Sequence, residues 1–126
     1  MKSLIAWPLA VLMLVSFQVS ALCLSIADSY TGIIPPNTTI TAHGPFKITA
    51  ANGCSGANID ATVSAGGAGR APGIFIEQEV GSSWARVSFS IGNNASYSGA
   101  FGNYRVRLNN DDAVSKSYSG NVRYGR

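Results

Sequence analysis

Apolar and polar residues alternate along most of the chain, and this period of two constrains the fold more than any other feature. In "NYRVRLN" (residues 103–109), Tyr104, Val106 and Leu108 alternate with polar residues. The same alternation runs through "FKITA" (46–50), "NIDATVSA" (58–65), "GIFIEQEV" (73–80) and "WARVSFSI" (84–91). A strand with one buried and one solvated face gives this pattern, and no segment after residue 21 shows a convincing 3.6-residue helical period.

Turn-forming residues separate these segments at short intervals, as in "IIPPN", "HGP", "NGCSG" and "IGNN". About seven or eight short strands at a spacing of roughly 8–12 residues are typical of antiparallel sandwiches and barrels. We therefore predict an all-β fold, a small antiparallel β-sandwich of jelly-roll or Ig-like type. We further expect the last two strands, 102–109 and 117–124, to pair as a hairpin across "NDDAVSK".

Alternation also predicts which side chains share a strand face. In "GIFIEQEV", Phe75, Glu77 and Glu79 lie on one face, opposite the isoleucines. In "WARVSFSI", strict alternation places two sets of side chains on opposite faces: Ala85, Val87, Phe89 and Ile91 against Trp84, Arg86, Ser88 and Ser90. Trp84 and Arg86 are therefore expected to be neighbours on the solvated face.

The N-terminal residues carry the pattern of a secretory signal peptide. Lys2 precedes an apolar run, and Val19 and Ala21 occupy the −3 and −1 positions of a small-residue cleavage site. The pattern predicts a signal peptide over 1–21 and one domain over 22–126. A membrane anchor is the alternative, but Pro8 interrupts the run, which is shorter than the roughly 20 residues a bilayer requires.

The two cysteines of the chain, Cys23 and Cys54, are expected to form one disulfide in an exported protein. A lipoprotein signal is the other interpretation of Cys23, but Leu22 stands where such signals usually place a small residue. We therefore predict a secreted or periplasmic protein with no membrane span in the mature chain.

The charge of the chain argues against a nucleic-acid partner. Nine Lys and Arg residues face six Asp and Glu residues, for a formal charge of +3. Nucleic-acid binders usually carry dense Lys/Arg tracts, and this sequence has none.

The C-terminal half resembles a known family of β-domains. The segments "GIFIEQEVGSSWARVSFS", "YSGAFGNYRVRLNN" and "SYSGNVRY" are similar to bacterial pre-peptidase C-terminal-type β-sandwich domains. The resemblance implies a β-sandwich found on exported proteins as an accessory or binding module, in some members with calcium. Asp111 and Asp112 alone do not form the acidic cluster of that family, so no calcium site is carried over.

No group of residues points to catalysis or to a bound metal or cofactor. The single histidine, His43, stands beside a Gly-Pro turn, and the G-x-S-x-G motif is absent. Several His or Cys metal ligands are excluded by counting. Glu77 and Glu79 lie two residues apart on one strand, whereas catalytic carboxylate pairs normally flank a substrate from separate elements. The run "NNDD" at 109–112 lacks calcium-loop spacing and favours a turn.

Two further features lie in predicted loops. The segment "GGAGRAPG" (66–73) lacks the Gly-Lys-Ser/Thr of a phosphate loop and predicts a flexible loop with Arg70 at its centre. Asn37 and Asn94 match the N-glycosylation pattern, which matters only in a eukaryotic host.

The expected hairpin places Arg105, Arg107 and Arg123 on one face. Positive residues on edge strands also prevent sheet-to-sheet aggregation, so a merely solvated face is favoured over a binding patch.

We interpret the chain as a non-enzymatic domain that acts by surface recognition of an anionic glycan, an envelope component or a protein partner. The alternative is a secreted or periplasmic inhibitor or immunity-type protein. The candidate contact residues are Arg105, Arg107, Arg123, Trp84, Arg86 and Arg70.

Overall fold

The alternating segments form extended strands, as their period of two predicts. The computed structural model describes residues 23–67 and 69–126, and this part of the chain contains nine strands and no helix. The strands are β1 (Ser25–Ile34), β2 (Thr38–Ile48), β3 (Ala57–Thr62), β4 (Ser64–Ala65), β5 (Gly73–Val80), β6 (Ser83–Ile91), β7 (Asn94–Gly99), β8 (Gly102–Asn110) and β9 (Lys116–Gly125).

The strands form two antiparallel sheets, and the predicted all-β sandwich is confirmed. The first sheet has the order β1-β9-β3-β7, with the short β4 also paired to β9. The second sheet has the order β2-β8-β5-β6. The extra strand relative to the expected seven or eight is the two-residue β4. It is separated from β3 by Val63, whose backbone N–H donates to the Asn93 carbonyl oxygen instead of joining the sheet.

Apolar side chains from alternate positions fill the space between the sheets. On β8, Tyr104, Val106 and Leu108 have no exposed surface. Ile74 and Ile76 of β5 are equally buried and lie opposite Leu108 and Val106. The facing sheet contributes the buried residues Ile34, Ile59, Ala61 and Val122. The one-sided burial predicted from the sequence is thus present in β3, β8 and β9, whereas in β5 the outer-face residue Phe75 is buried as well.

The expected hairpin between the last two strands is wrong. β8 pairs with β2 and β5, whereas β9 lies in the other sheet and pairs with β1, β3 and β4. The loop after Asn110 therefore crosses from one sheet to the other. Strands consecutive in sequence usually lie side by side, which is why the hairpin was expected, but here the connection crosses between the sheets and each strand pairs with distant parts of the chain.

A β-bulge changes the faces predicted for β6. Ile76 lies opposite Ser88, but the next residue, Glu77, lies opposite Arg86, so Val87 is the extra residue. Because one inserted residue reverses the alternation beyond it, Phe89 and Arg86 lie on the same outer face. The prediction that Phe89 and Ile91 share a face with Ala85 and Val87 is therefore wrong: Phe89 is 48% exposed and Ile91 is 68% exposed, whereas Val87 packs against the core.

The predicted disulfide between Cys23 and Cys54 is confirmed. It joins the start of the described chain to the loop before β3. Beside it, Leu24 and Arg126 exchange two backbone hydrogen bonds of 3.2 and 2.7 Å, and the Asn52 amide donates to the Arg126 carbonyl oxygen at 2.9 Å. The two ends of the described segment are thereby held together at one end of the sandwich.

A buried amide fixes the crossing loop at the other end. Asn110 has no exposed surface, and its Nδ2 lies 2.8–3.1 Å from the carbonyl oxygens of Ile34, Pro35 and Val114. Its Oδ1 accepts the backbone N–H of Asp112 at 3.0 Å. One side chain thus satisfies backbone groups from the β1–β2 turn and from the loop that follows β8.

The predicted signal peptide, residues 1–21, lies outside the described residues. Within the described segments, no helix has the length and apolar character needed to cross a membrane.

We predict that Asn110→Ala lowers the free energy of unfolding by about 3 kcal/mol, because it leaves several buried backbone groups without a partner. Chemical denaturation with urea measures the change. The matched control is Asn103→Ala on the same strand, which removes one exposed hydrogen bond to Glu79 and should cost less than about 1.5 kcal/mol. Equal losses for the two variants would contradict the role given to Asn110.

Candidate binding surface

The outer face of the β2-β8-β5-β6 sheet brings together four of the six candidate contact residues. Arg105 and Arg107 project from β8 because Tyr104, Val106 and Leu108 occupy the inner positions of that strand. The strand register places Glu77 opposite both Arg105 on β8 and Arg86 on β6. We name this surface the arginine–aromatic face, and its members are Phe75, Glu77, Trp84, Arg86, Phe89, Arg105 and Arg107.

Glu77 is the electrostatic centre of the arginine–aromatic face. Its Oε1 accepts hydrogen bonds from Nε of Arg105 at 2.6 Å and lies 2.6 Å from Nη2 of the same guanidinium. Nη1 of Arg107 lies 3.9 Å from the same oxygen. The carboxylate is only 13% exposed, so the water-poor surroundings strengthen its attraction for both arginines.

Aromatic rings hold two of the guanidinium groups in fixed positions. Arg105 lies 4.3 Å from the centroid of the Trp84 ring. Arg86 lies 4.1 Å from the centroid of Phe75 and 4.8 Å from that of Phe89. Such cation–π contacts restrict long side chains that would otherwise sample many rotamers. The face is therefore ordered before any partner arrives.

Arg107 is less completely satisfied than Arg105. Its Nε is buried and has no hydrogen-bond partner among the described residues, and its ion pair with Glu77 is long. The three arginines of the face oppose the carboxylates of Glu77 and Glu79, and Glu79 accepts a hydrogen bond from the Asn103 amide at 2.8 Å. These three arginines exceed the two carboxylates by one positive charge, and Lys47, opposite Asn103 on the same outer side of the sheet, adds a second.

Arg123 does not belong to this surface. It projects from β9 in the other sheet, where it lies opposite Ala27 and Asp60. The sequence grouped it with Arg105 and Arg107 only through the hairpin that the structure excludes. Arg123 is exposed and carries the same charge, so it provides a natural control for experiments on the arginine–aromatic face.

Arg70 lies at one end of the face, in a loop that is anchored to the crossing loop. The backbone N–H of Arg70 donates to Oδ2 of Asp112 at 2.8 Å. The same carboxylate oxygen lies 3.0 Å from Nζ of the buried Lys116. The Lys116 ammonium and the Arg70 N–H together hold the pKa of Asp112 below its ordinary value. The segment 66–73 was predicted to be a flexible loop, and at Arg70 it is tied to the crossing loop.

The residues weighed for catalysis or calcium make other contacts. Asp111 accepts a hydrogen bond from the Asn109 amide at 2.8 Å, as a turn residue does. His43 lies 3.5 Å from Asp28 and packs against the ring of Phe46 with centroids 5.4 Å apart. Among the described residues, no three His, Cys, Asp or Glu side chains form a group that could hold a metal ion.

Of the clefts formed by the described residues, two bear on the candidate surface and its alternatives. A cleft of about 350 Å³ adjoins the arginine–aromatic face and is lined by Arg70, Gly73, Phe89, Ile91, Asn109 and Asp111. The sequence did not reveal this cleft, because the bulge that turns Phe89 and Ile91 outward has no clear sequence signal. A wider cleft of about 550 Å³ on the other sheet is lined mainly by Ser, Thr and Asn residues, together with Tyr30 and Val63, and by no charged side chain.

The wider cleft has a structural explanation. Tyr30 at its edge is buried, its hydroxyl donates to the Thr62 carbonyl oxygen at 2.6 Å, and burial raises the pKa of that hydroxyl well above its ordinary value. The hydroxyl thus satisfies backbone at the interruption between β3 and β4. It is held neutral and bonded, which suits a structural role.

Comparison with known proteins supports the fold and no particular activity. No protein-family model matches the chain, and no curated protein matches it. Among solved structures, the Yersinia pseudotuberculosis-derived mitogen (YPM) matches with a TM-score of 0.59 and 15% identity, over 79% of this chain and 86% of that chain. The chain is thus similar in fold to that mitogen, as a small all-β domain.

A second comparison bears on the family resemblance drawn from the sequence. The pre-peptidase C-terminal domain of collagenase from Bacillus anthracis matches with a TM-score of 0.41 and 19% identity, over 80% of this chain and 89% of that domain. PirA matches with a TM-score of 0.44 and 15% identity, over 78% of this chain and 93% of that chain. The resemblance to pre-peptidase C-terminal domains is therefore confirmed as a weak one.

We predict that Glu77→Gln lowers the free energy of unfolding by about 1–3 kcal/mol, because it removes the charge that two guanidinium groups share. Thermal and urea denaturation measure the loss. The control Glu79→Gln, two residues away on the same face, has one amide donor and should cost less than about 1 kcal/mol. A Glu77→Gln variant as stable as the wild type would contradict the central electrostatic role given to Glu77.

Acid should weaken the contact between the Arg70 loop and the crossing loop. Because the folded-state pKa of Asp112 is lowered, its contribution is complete above the unfolded-chain value of about 3.9 and is lost as the pH falls through the lower folded value. We expect the Asp112→Asn variant to have a lower Tm than the wild type at pH 6. On acidification, the Tm of the variant should fall by less than the Tm of the wild type. Melting curves recorded from about pH 6 to pH 2.5 test this, and parallel losses would contradict it.

Proposed function

We propose that the chain is an exported, non-enzymatic β-sandwich domain that binds a protein partner through the arginine–aromatic face. Two features support export: the signal-peptide pattern of residues 1–21, and a disulfide, which persists in oxidising compartments. The proposed location is the periplasm or the outside of the cell. The proposed mode of action is recognition by a surface, without turnover of a substrate.

One observation carries the proposal: guanidinium groups are held over aromatic rings on the open face of a rigid sheet. Trp, Tyr and Arg are the residues enriched in the central contacts of protein interfaces. Arg105 over Trp84 and Arg86 over Phe75 are ordered in the free protein. Binding therefore costs less side-chain entropy than it would for free arginines.

The same contacts favour a protein partner over a sugar. Phe75 is only 3% exposed beneath the Arg86 guanidinium, so its ring is closed to a ligand. Arg105 occupies one face of the Trp84 ring in the same way. The surface thus offers guanidinium N–H donors and the apolar edge of Phe89, a combination that suits acidic and apolar side chains. An anionic glycan or another envelope component is an alternative outcome of the experiment below.

The inhibitor or immunity-type interpretation is retained as the second candidate because the Arg70 loop adjoins the face. The hydrogen bond from the Arg70 N–H to Asp112 holds this loop in a defined position. A partner enzyme bound to the face would meet the loop as well. If the captured partner is an enzyme, its activity in the presence of the protein decides between the two candidates.

We predict that Arg86→Glu reduces capture of the partner at least about tenfold, as expected for an interface arginine at the centre of a contact. The full chain, carrying a C-terminal affinity tag, is used as bait against the medium and envelope fraction of the producing cell. Arg86 contacts rings at the outer surface, so the variant should fold, and its melting curve checks this.

The matched control is Arg123→Glu, which makes the same charge change on the opposite sheet. Capture should survive in this control. Loss of capture in both variants would indicate attraction by net charge alone, and retention in both would contradict the proposed surface. A captured glycan in place of a protein would overturn the choice of partner.

A further inference from the structure

The cleft at the end of the arginine–aromatic face combines apolar walls with a positive rim. Phe89 and Ile91 line it and are 48% and 68% exposed, which is unusual for large apolar side chains on neighbouring outward positions of one strand. We propose that this cleft is an anchor site for one apolar side chain of an acidic partner segment. This inference rests on the function proposed for the same face and specifies the chemistry of the partner.

Gly73 lies beneath the Phe89 wall of the cleft. It stands opposite Ile91 on β6 and opposite Asn109 on β8. A Cβ at this position would lie 3.2 Å from Cε1 of Phe89, closer than ordinary van der Waals contact, and 3.8 Å from Cβ of Asn109. The backbone φ of Gly73 is not positive, so the chain geometry itself does not require glycine. The absent side chain therefore allows the Phe89 ring to lie close against β5, where it forms one wall of the cleft.

The volume suits a single side chain. An apolar cavity of about 150 Å³ is enough to hold benzene. The cleft measures about 350 Å³ and is open to solvent, so it accepts one leucine-sized or phenylalanine-sized group while the partner backbone stays outside. It is too small for a folded element.

The charges around the cleft select an acidic segment. Arg70 stands at the rim, and Arg86 lies against Phe89 on the neighbouring side. Arg107 is on the third strand, opposite Phe75 and two residues from Asn109. The one rim carboxylate, Asp111, already accepts a hydrogen bond from Asn109. Asp112 lies beside Arg70, whose backbone N–H it accepts. Carboxylates that flank an apolar side chain would meet Arg70 at the rim and Arg86 and Arg107 on adjoining positions of the face.

A peptide titration tests the proposal without the natural partner. The probes are a leucine pentapeptide, Asp-Glu-Leu-Glu-Asp, its alanine analogue, and a basic analogue, Lys-Lys-Leu-Lys-Lys. Each is added to the isotope-labelled protein, and NMR chemical shifts are followed. We expect the amide signals of Gly73, Ile91 and Asn109 to shift in a saturable way with the leucine peptide. The alanine peptide should bind at least about fivefold more weakly, since most of the buried apolar surface is lost.

Displacing the Phe89 wall should abolish the preference. In Gly73→Val the added side chain would push the Phe89 ring from its place against β5, because even a Cβ there would lie 3.2 Å from Cε1 of Phe89. The leucine and alanine peptides should then bind equally weakly. Phe89→Ser removes one wall at an exposed position and should have the same effect without requiring any rearrangement of the core. Unchanged chemical shifts of β1 and β9 signals show that each variant is folded.

The outcomes separate this inference from the function proposed above. The anchor site is overturned if no peptide shifts these signals, if the basic peptide binds as well as the acidic one, or if Gly73→Val retains the leucine preference. In each case, loss of partner capture by Arg86→Glu would still support the arginine–aromatic face. Peptide binding as expected, with capture unaffected by Arg86→Glu, would support the cleft and contradict the wider face.

Discussion

Burial of one face of β8 is the constraint on which the rest of the structure depends. Tyr104, Val106 and Leu108 have no exposed surface and lie where the two sheets meet. Since alternate residues of a strand point in opposite directions, this burial forces Arg105 and Arg107 outward. β8 is also an inner strand between β2 and β5, so the arginines project from the middle of the sheet and meet Glu77.

A bulge and a glycine place exposed apolar side chains beside the arginines of this sheet face. The extra residue Val87 turns Phe89 and Ile91 outward, beside Arg86, and the absent side chain of Gly73 allows the Phe89 ring to lie close against β5. Each departure from regular strand geometry carries a cost in packing or in apolar exposure. Together they create apolar surface within reach of guanidinium groups, which a regular strand pair would not have exposed.

The sequence predicted features that depend on local pattern and missed those that depend on pairing. Alternation correctly identified the strands, the buried face of β8 and the outward positions of Glu77 and Trp84, and the two cysteines specified the disulfide. The partners of β8 and β9 are set by contacts between distant segments, so the expected hairpin and the grouping of Arg123 were wrong. The bulge in β6 depends on the register between β5 and β6, which the sequence of β6 alone does not specify. The cleft depends on the side chains that the bulge turns outward, so it could not be predicted from the sequence either.

The central claim is that the arginine–aromatic face and its adjoining cleft form the contact surface. Hydroxyl-radical footprinting with mass spectrometry, applied to the protein with and without its captured partner, tests it most directly. Exposed apolar side chains report on both sides of the molecule, with Phe89 and Ile91 at the face and Ile33 and Val114 elsewhere. The account predicts protection of Phe89, Ile91 and Trp84 alone. Protection of Ile33 or Val114, with Phe89 and Ile91 still reactive, would contradict it.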